Sequence, residues 1–194
     1  MALKEASLQS FGSPTTFPTP TRSGSPIAAL PEVASVLLAD WLPAVAGLQD
    51  ILQAGARVAD VACGPGSSII RMAEVFPKSQ FFGYDLSVAA IEAARAAAQA
   101  AGVIERTYFQ ISSPADFPGW GYDLIGFLNG VLALPNPSNA AWRVQTSLSE
   151  NGVWLIAEAP GSESQVRALA NAAGFSTCRL ALATATDAVY EVRR

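Results

Sequence analysis

From Arg57 onward the sequence alternates between short apolar runs and segments with helical spacing, and this alternation constrains the fold more than any other feature. The apolar runs are RVADVA, QFFGYD, RTYFQI, YDLIGFL and GVWLIAE. Helices are predicted between them, around residues 67–76, 87–101, 137–148 and 161–173. Short buried strands separated by helices form βαβ units, whose parallel sheet is covered on both faces. The pattern therefore predicts an α/β fold with a mostly parallel sheet.

The two ends of this pattern differ from its middle. The runs FSTCRLAL and AVYEVRR have no helix between them, so we expect them to pair antiparallel as a hairpin. Before Arg57, apolar residues recur at helical spacing, with Pro31 near a helix start and Pro43 at a break. The segment FGSPTTFPTPTRSGSP is typical of a flexible arm. We therefore expect an arm at residues 1–26 and one domain at 27–194, with N-terminal helices at 27–55 and the sheet core at 56–194.

Composition excludes several classes of partner. The net charge is −4 and no block of Lys or Arg is present, so nucleic acid is disfavoured. The chain is 51% hydrophobic and 14% charged, which indicates apolar surface buried in a cleft or in a homodimer. Two distant cysteines do not indicate a disulfide framework, so a cytoplasmic protein is expected. No apolar run reaches the length of about 18 residues that spans a membrane, so we expect a soluble protein.

The turn VADVACGPGSS is the strongest candidate for a binding site. Open α/β sheets bind ligands where the first strand turns into the first helix. Gly64 and Gly66 let the backbone approach a ligand, and the following helix start offers free N–H groups. A dinucleotide fingerprint needs a third glycine where this chain has Ile69, which disfavours a nicotinamide cofactor. Asp60 would repel a pyrophosphate and attract a ligand that carries positive charge.

Four motifs in order resemble those of class I S-adenosylmethionine-dependent methyltransferases. They are DVACGPG, FFGYDLS, YDLIGFLNGV and LSENGVWLIAEA, and the resemblance covers roughly residues 40–194. The stretch of residues 44–87 is similar to a bacterial group that methylates small molecules. The resemblance implies a Rossmann-like methyltransferase fold with a seven-stranded sheet that ends in an antiparallel hairpin. It also implies S-adenosylmethionine as the cofactor and a small-molecule substrate as the methyl acceptor.

The resemblance assigns cofactor-binding roles by position. The residues implied to line the methionine half are Asp60, Ala62, Cys63, Gly64 and Gly66, with Asp60 helping to hold the ammonium group and Ala62 standing where the family has its first glycine. Asp85 is implied to accept the ribose hydroxyls, and Leu86 to pack by the adenine. A second interpretation of Asp85 is a cap for the helix that begins near Ser87. Cys63 lies where a helix N-terminus can lower a thiol pKa, although a packing role is favoured over a redox role.

Two positions depart from the family on the adenine and substrate sides. Ser113 stands where the family has an acidic residue for the adenine amino group, and Asp116 is the alternative partner. Asn129, Leu132 and Ala133 replace an aspartate and a histidine–aspartate pair on the substrate side, and the chain has no histidine. A histidine base is therefore excluded. Asn129 and Glu158 are the catalytic candidates, and each is equally open to a structural role.

The connection between IAEAP and SESQVRALANAAGF is also short, because the resembling group inserts a substrate lid there. The substrate cavity is therefore expected to be more open, or to be closed by residues 11–26 or by a second subunit instead. The four tryptophans are predicted to lie in the core or to line the cleft.

Three functions stay open at this point. The first is methyl transfer to a small molecule by in-line displacement, which relies on positioning and desolvation. The second is an enzyme of the same fold that catalyses a cyclisation or an isomerisation, which the missing histidine–aspartate pair favours. The third is a non-catalytic binding or regulatory subunit.

Overall fold

The computed structural model describes residues 30–128 and 130–194, and the predicted arm at 1–26 lies outside them. Seven strands form one sheet in the order β3-β2-β1-β4-β5-β7-β6. Their bounds are β1 Arg57–Val61, β2 Gln80–Asp85, β3 Thr107–Ile111, β4 Tyr122–Phe127, β5 Leu148–Glu158, β6 Thr177–Ala183 and β7 Ala188–Arg193. The first five strands pair in parallel, whereas β7 is antiparallel to both β5 and β6. The predicted C-terminal hairpin is confirmed.

Helices connect most of the strands. Their bounds are α1 Leu30–Val36, α2 Leu48–Ala54, α3 Ser67–Val75, α4 Val88–Ala100, α5 Pro137–Ser147 and α6 Glu163–Ala172. A π-helical turn at Leu37–Trp41 follows α1, and Pro43 lies in the turn after it, as the sequence predicts. The side chain of Ser87 accepts a hydrogen bond from the Ala90 N–H and caps α4.

The two faces of the sheet carry separate hydrophobic clusters. Val58 and Phe81 pack on one face with α3, α4 and the N-terminal helices. Ile125 and Trp154 pack on the other face with α5 and α6. Because successive side chains of a strand point to opposite faces, the uninterrupted apolar runs of β1, β4 and β5 supply both clusters. The predicted Rossmann-like fold with helices on both faces is confirmed.

One connection between parallel strands lacks a helix. Residues 112–121 join β3 at the edge of the sheet to β4 without any regular element. Parallel strands are usually joined through a helix that covers the sheet face they cross. The face of β2 and β3 beside this connection consequently keeps exposed side chains, among them Tyr108 with 47% of its surface exposed.

Two of the four tryptophans do not occupy the predicted positions. Trp41 and Trp154 are buried in the core, as expected. Trp142 is 62% exposed on the outer side of α5, and Trp120 is 79% exposed in the connection before β4. The sequence pattern did not indicate that Trp142 lies on the solvent-facing side of its helix. Among the described residues, no helix is both long and apolar enough to cross a membrane.

Candidate functional site

The candidate site lies at the carboxyl ends of the strands where the strand order reverses. β1 is paired with β2 on one side and with β4 on the other. The chain continues from β2 to β3 on the first side and from β4 to β5 on the second. Such a switch point opens a crevice at the carboxyl edge of an α/β sheet. We call Asp60, residues 62–66 and Asp85 the turn side of this crevice, and Leu128, residues 130–133 and Glu158 the loop side.

Left-handed backbone shapes the turn after β1. Gly64 and Gly66 have φ angles of 55° and 77°, and Ala62 has a φ of 62°. A non-glycine residue with positive φ is uncommon and costs about 1 to 2 kcal/mol. This conformation explains why the resembling family places a glycine at the position of Ala62. The Cys63 N–H donates to the Tyr84 carbonyl at 3.1 Å and so ties the turn to β2.

The two glycines of the turn serve different purposes. A Cβ atom at Gly64 would meet no heavy atom within 4 Å, so this part of the backbone faces open space. A Cβ atom at Gly66 would lie 2.6 Å from Cε1 of Phe109 on β3. Gly66 is therefore required by packing as well as by its φ angle, and Gly64 is the glycine that a ligand can approach.

Asp85 holds the turn from the end of β2. Its Oδ2 atom accepts a hydrogen bond of 2.8 Å from the Gly64 N–H, and its Oδ1 atom accepts one of 2.8 Å from the Ser87 N–H. The carboxylate therefore orders the start of α4 and the glycine turn together. Each carboxylate oxygen can accept a further hydrogen bond, and the half-buried side chain is still accessible from the crevice. The capping role and a hydroxyl-binding role are compatible.

Asp60 is a buried carboxyl group on the turn side. Only 3% of the residue is exposed, and its carboxyl group accepts no hydrogen bond from a described residue. Burial, with a second contribution from the negative charge of Asp85, raises the pKa of Asp60 from 3.8 to about 8. A buried carboxyl group without a partner is costly to ionise, and a cation bound beside it would reverse that cost. Asp60 and Asp85 together favour a positively charged ligand.

Cys63 is a packing residue. Its Sγ atom would lie 2.9 Å from a Cβ atom at Gly83 of β2, and the residue is 6% exposed. Burial and the charges of Asp60 and Asp85 raise the pKa of the thiol. Burial and the two nearby carboxyl groups outweigh the lowering that a helix N-terminus can cause, in line with the packing role that the sequence favours.

Exposed apolar side chains flank the turn where the resemblance places adenine. Leu86 is 62% exposed and Ile111 is 47% exposed, at the carboxyl ends of the paired strands β2 and β3. Further along, the Ser113 hydroxyl donates a hydrogen bond of 2.6 Å to the Asp116 carboxylate. The two alternatives raised by the sequence for the adenine amino group thus form one linked pair.

The loop side is built around Glu158. This carboxylate is 8% exposed at the end of β5, and its Oε1 atom accepts a 2.8 Å hydrogen bond from the Leu132 N–H. A Cβ atom at Gly130 would lie 3.1 Å from its Oε2 atom, so the loop passes directly over the carboxylate. Asn129, the other catalytic candidate, lies outside the described residues. The described side chains include no group of three or more His, Cys, Asp or Glu residues that could hold a metal ion.

Sequence reasoning missed two contributors to the crevice. Phe109 and Ile111 are ordinary strand residues of β3, and only the register of β3 against β2 places them at the turn. The backbone N–H of Leu132 is equally invisible to motif reasoning, because a main-chain donor carries no residue signature.

Comparison with known proteins identifies a domain family and a common fold. A family model described as a methyltransferase domain matches residues 52–189. A candidate O-methyltransferase from Nostoc punctiforme has a TM-score of 0.63 at 21% identity, over 84% of this chain and 61% of that one. Magnesium protoporphyrin IX methyltransferase from Synechocystis, solved with bound S-adenosylmethionine, has a TM-score of 0.65 at 22% identity, over 85% and 79%.

A third similar structure is the 4+2 cyclase SpnF, with a TM-score of 0.57 at 21% identity over 66% of this chain and 57% of SpnF. No curated protein matches the sequence. The chain spans about three fifths of the Nostoc protein, and at these identities the structural neighbours establish the fold.

Proposed function

Since the chain belongs to the methyltransferase domain family, whose model matches residues 52–189, we propose that it transfers a methyl group from S-adenosylmethionine to a small-molecule acceptor. The observation that carries this proposal is the pair of carboxyl groups, Asp60 and Asp85, on either side of the open backbone at Gly64. S-adenosylmethionine carries an ammonium group, a sulfonium group and two ribose hydroxyls. These groups match a buried carboxyl group without a partner and a second carboxylate at a strand end.

The residues of the turn side fit this cofactor. Asp60 balances the positive charge, and the unobstructed face at Gly64 admits the methionine half. Asp85 accepts the ribose hydroxyls while it keeps its hydrogen bonds to Gly64 and Ser87.

The adenine end of the cofactor lies beside the turn side. The apolar surface of Leu86 packs against adenine, and the linked pair of Ser113 and Asp116 receives the adenine amino group. The bound cofactor supplies an electrophilic methyl group.

The acceptor side of the proposal follows from what Glu158 contacts. Its carboxylate holds the loop of residues 130–133 through the Leu132 N–H, and Asn129 directly precedes this loop in the sequence. We therefore assign Glu158 a positioning role and Asn129 a polar contact with the acceptor. The sequence has no histidine, so no imidazole removes a proton from the acceptor. An acceptor that is already ionised, or that has a free lone pair, needs only positioning and the exclusion of water.

The short connection after β5 supplies no lid over the acceptor side in the part of the chain that the structure describes. β5 ends at Glu158 and α6 begins at Glu163, so residues 159–162 leave no room for a lid. We propose that residues 1–26 or a second subunit close the crevice. Deletion of residues 1–26 should then raise the dissociation constant of the cofactor or acceptor at a protein concentration that excludes dimers. An unchanged constant there, with concentration-dependent affinity in the full chain, assigns the closure to the second subunit.

The second candidate is a cyclisation or isomerisation on the same fold. It draws on the likeness to SpnF and on the absence of histidine. The two candidates separate in one assay, because methyl transfer consumes the cofactor, whereas a rearrangement yields a product of the same mass as its substrate. A product that gains the mass of one methyl group supports the first candidate.

Calorimetric titration tests the cofactor site directly. We expect S-adenosylmethionine and its demethylated product to bind the wild-type chain, and Asp85→Ala to weaken both by about 100-fold, since two charge-assisted hydrogen bonds are lost. The matched control is Asp50→Ala, which removes an exposed carboxylate from α2. Equal affinities for wild type and Asp85→Ala would contradict the site, and absence of binding to the wild type would contradict the proposed function.

A further inference from the structure

The connection without a helix leaves a second concave surface on the sheet, away from the crevice. On β3, Thr107 and Phe109 point into the core, whereas Tyr108 and Gln110 are exposed on the other face. Tyr108 stacks on Phe82 of β2, with ring centroids 5.1 Å apart. In the described chain, the main contacts of α5 are with β5 and α6. The outer part of this face, at Tyr108 and Gln110, is left exposed.

We call this surface the aromatic groove. It is a cavity of about 340 Å³ whose walls include Arg57, Phe82, Tyr84, Tyr108, Pro118 and Tyr122. A second cavity of about 350 Å³ adjoins it at Arg57 and Gly119 and extends to Trp120. Volumes of this size accommodate small organic ligands. The lining contains neither Asp85 nor any residue of the glycine turn. Phe109 is the residue that the groove shares with the crevice, where it packs by Gly66.

The wall of the aromatic groove is held in place by several hydrogen bonds. The Pro118 carbonyl accepts hydrogen bonds from the Tyr84 and Tyr122 hydroxyls at 3.1 and 2.9 Å. Arg143 of α5 donates to the Phe117 carbonyl at 2.7 Å and to the Gly119 carbonyl at 2.9 Å. These four hydrogen bonds leave the wall little freedom to be lost on binding, which favours a preformed site.

Arg57 gives the aromatic groove its charge. Its guanidinium lies 4.8 Å from the centroid of the Phe82 ring and 5.4 Å from that of Tyr122. Its Nε–H is buried without a hydrogen-bond partner, and among the described residues no carboxylate forms an ion pair with it. The nearby Asp123 carboxylate instead accepts the Arg57 backbone N–H and the Ser149 hydroxyl. A cation with a buried, unused donor favours an anionic ligand.

We propose that the aromatic groove binds a flat aromatic carboxylate, with its ring against Tyr108 and Phe82 and its carboxylate on the guanidinium of Arg57. A planar guanidinium matches a carboxylate through two parallel hydrogen bonds, and stacked aromatic rings add area and orientation. The ligand supplies the acceptor that Arg57 lacks. This site goes beyond the proposed methyl transfer and requires no cofactor.

The test compares an aromatic acid with its neutral amide on the full chain without cofactor. In calorimetric titrations we expect 2-naphthoate to bind the wild type about tenfold more tightly than 2-naphthamide, because one charged hydrogen-bonding pair is added. Arg57→Met should lower the affinity for the acid to that for the amide and leave the amide affinity unchanged, which also shows that the groove is still folded. Arg57→Lys should keep part of the preference for the acid.

The matched control is Arg71→Met, which removes an exposed arginine of α3 far from the groove. Equal binding of acid and amide to the wild type, no binding of either, or an acid affinity that Arg57→Met does not change would each overturn the proposal.

Indole N–H resonances locate the bound acid. We expect the Trp120 signal to shift on addition of 2-naphthoate and the Trp142 signal, from a second exposed tryptophan on α5, to stay in place. Competition between 2-naphthoate and S-adenosylhomocysteine would place the acid in the crevice and overturn the proposal. A dimer in sedimentation experiments that Trp120→Glu dissociates would show that a second copy covers the groove, and it would overturn the proposal as well.

Discussion

The turn side and the loop side of the crevice both contain buried acidic side chains, but these side chains have different tasks. On the turn side, the Asp60 carboxyl group has no hydrogen-bond partner among the described residues, and Asp85 retains acceptor capacity toward the crevice. On the loop side, Glu158 accepts the N–H of Leu132 and supports the backbone above it. The difference teaches that burial alone does not identify a ligand-binding carboxylate. Substitutions on the turn side should change ligand binding, and those on the loop side should change stability.

The largest expected effect is a loss of stability at Gly66, which is an exception because it lies on the turn side. Gly66→Ala should lower the free energy of unfolding by about 3 kcal/mol or more, because left-handed strain adds to a clash with Phe109. Gly64→Ala is the matched control: it costs only the strain, about 1 to 2 kcal/mol, and its methyl group points into open space. Urea denaturation measures both.

Binding then separates the two glycines. Gly64→Ala should weaken S-adenosylhomocysteine binding in calorimetry although the chain stays folded. Equal losses of stability in the two variants would remove the distinction between a packing glycine and a ligand-facing glycine. A second change, Phe109→Leu, should recover part of the loss in Gly66→Ala, because the smaller side chain can move away from the added methyl group.

On the loop side, Glu158→Ala should lower the free energy of unfolding by about 2 kcal/mol, since it leaves the partly buried Leu132 N–H without an acceptor. Glu158→Gln keeps an acceptor oxygen and should cost less than half as much. Affinity for S-adenosylhomocysteine should change little in either variant. If Glu158→Ala retains full stability and loses only methyl transfer, Glu158 is a catalytic residue and the comparison fails.

Asp60 predicts a pH dependence specific to the turn side. The pKa of Asp60 is raised to about 8 in the folded chain against an ordinary value of 3.8, so the folded state binds the proton more tightly. Without cofactor, stability should therefore fall as pH rises from about 4 to about 8, by at most about 1.4 kcal/mol per pH unit. Asp60→Asn should flatten this contribution, as chemical denaturation at several pH values will show.

The same carboxyl group links cofactor binding to protons. A bound cation favours ionised Asp60, so binding of S-adenosylmethionine near pH 7 should release a proton in wild type and none from this site in Asp60→Asn. Calorimetry in buffers with different ionisation enthalpies measures the release. An identical release from both proteins would mean that Asp60 is not beside the positive charge.

The smallest expected effect concerns Ala62. Ala62→Gly should raise the free energy of unfolding by about 0.5 kcal/mol, because relief of left-handed strain exceeds the entropy cost of glycine in the unfolded chain. Thermal unfolding detects such a change. The control is Ala54→Gly at the end of α2, where glycine gains no strain relief and should destabilise. Loss of stability in Ala62→Gly would indicate that the alanine methyl group makes a contact worth more than the strain.

The features that could be predicted are those that depend on residues close together in the sequence. The strands, the helices and the C-terminal hairpin follow from the hydrophobic period, and so does the place of Asp85 at the end of β2. The reason for Gly66 could not be predicted, because its neighbour Phe109 belongs to a strand whose register only the assembled sheet defines. The partner of Glu158 is a backbone N–H, and the aromatic groove depends on a missing helix and on rings from three strands. Both arise from long-range geometry.

The place of β7 in the sheet has a consequence for synthesis of the chain. β7 is the seventh strand to be made, yet it lies between β5 and β6. Until Ala188–Arg193 has left the ribosome, β5 presents an unpaired edge and β6 has no partner in the sheet. An open edge is a site of intermolecular pairing. Nascent chains stalled shortly before Ala188 should therefore depend on chaperones, although the glycine turn and β1 to β5 have already been translated.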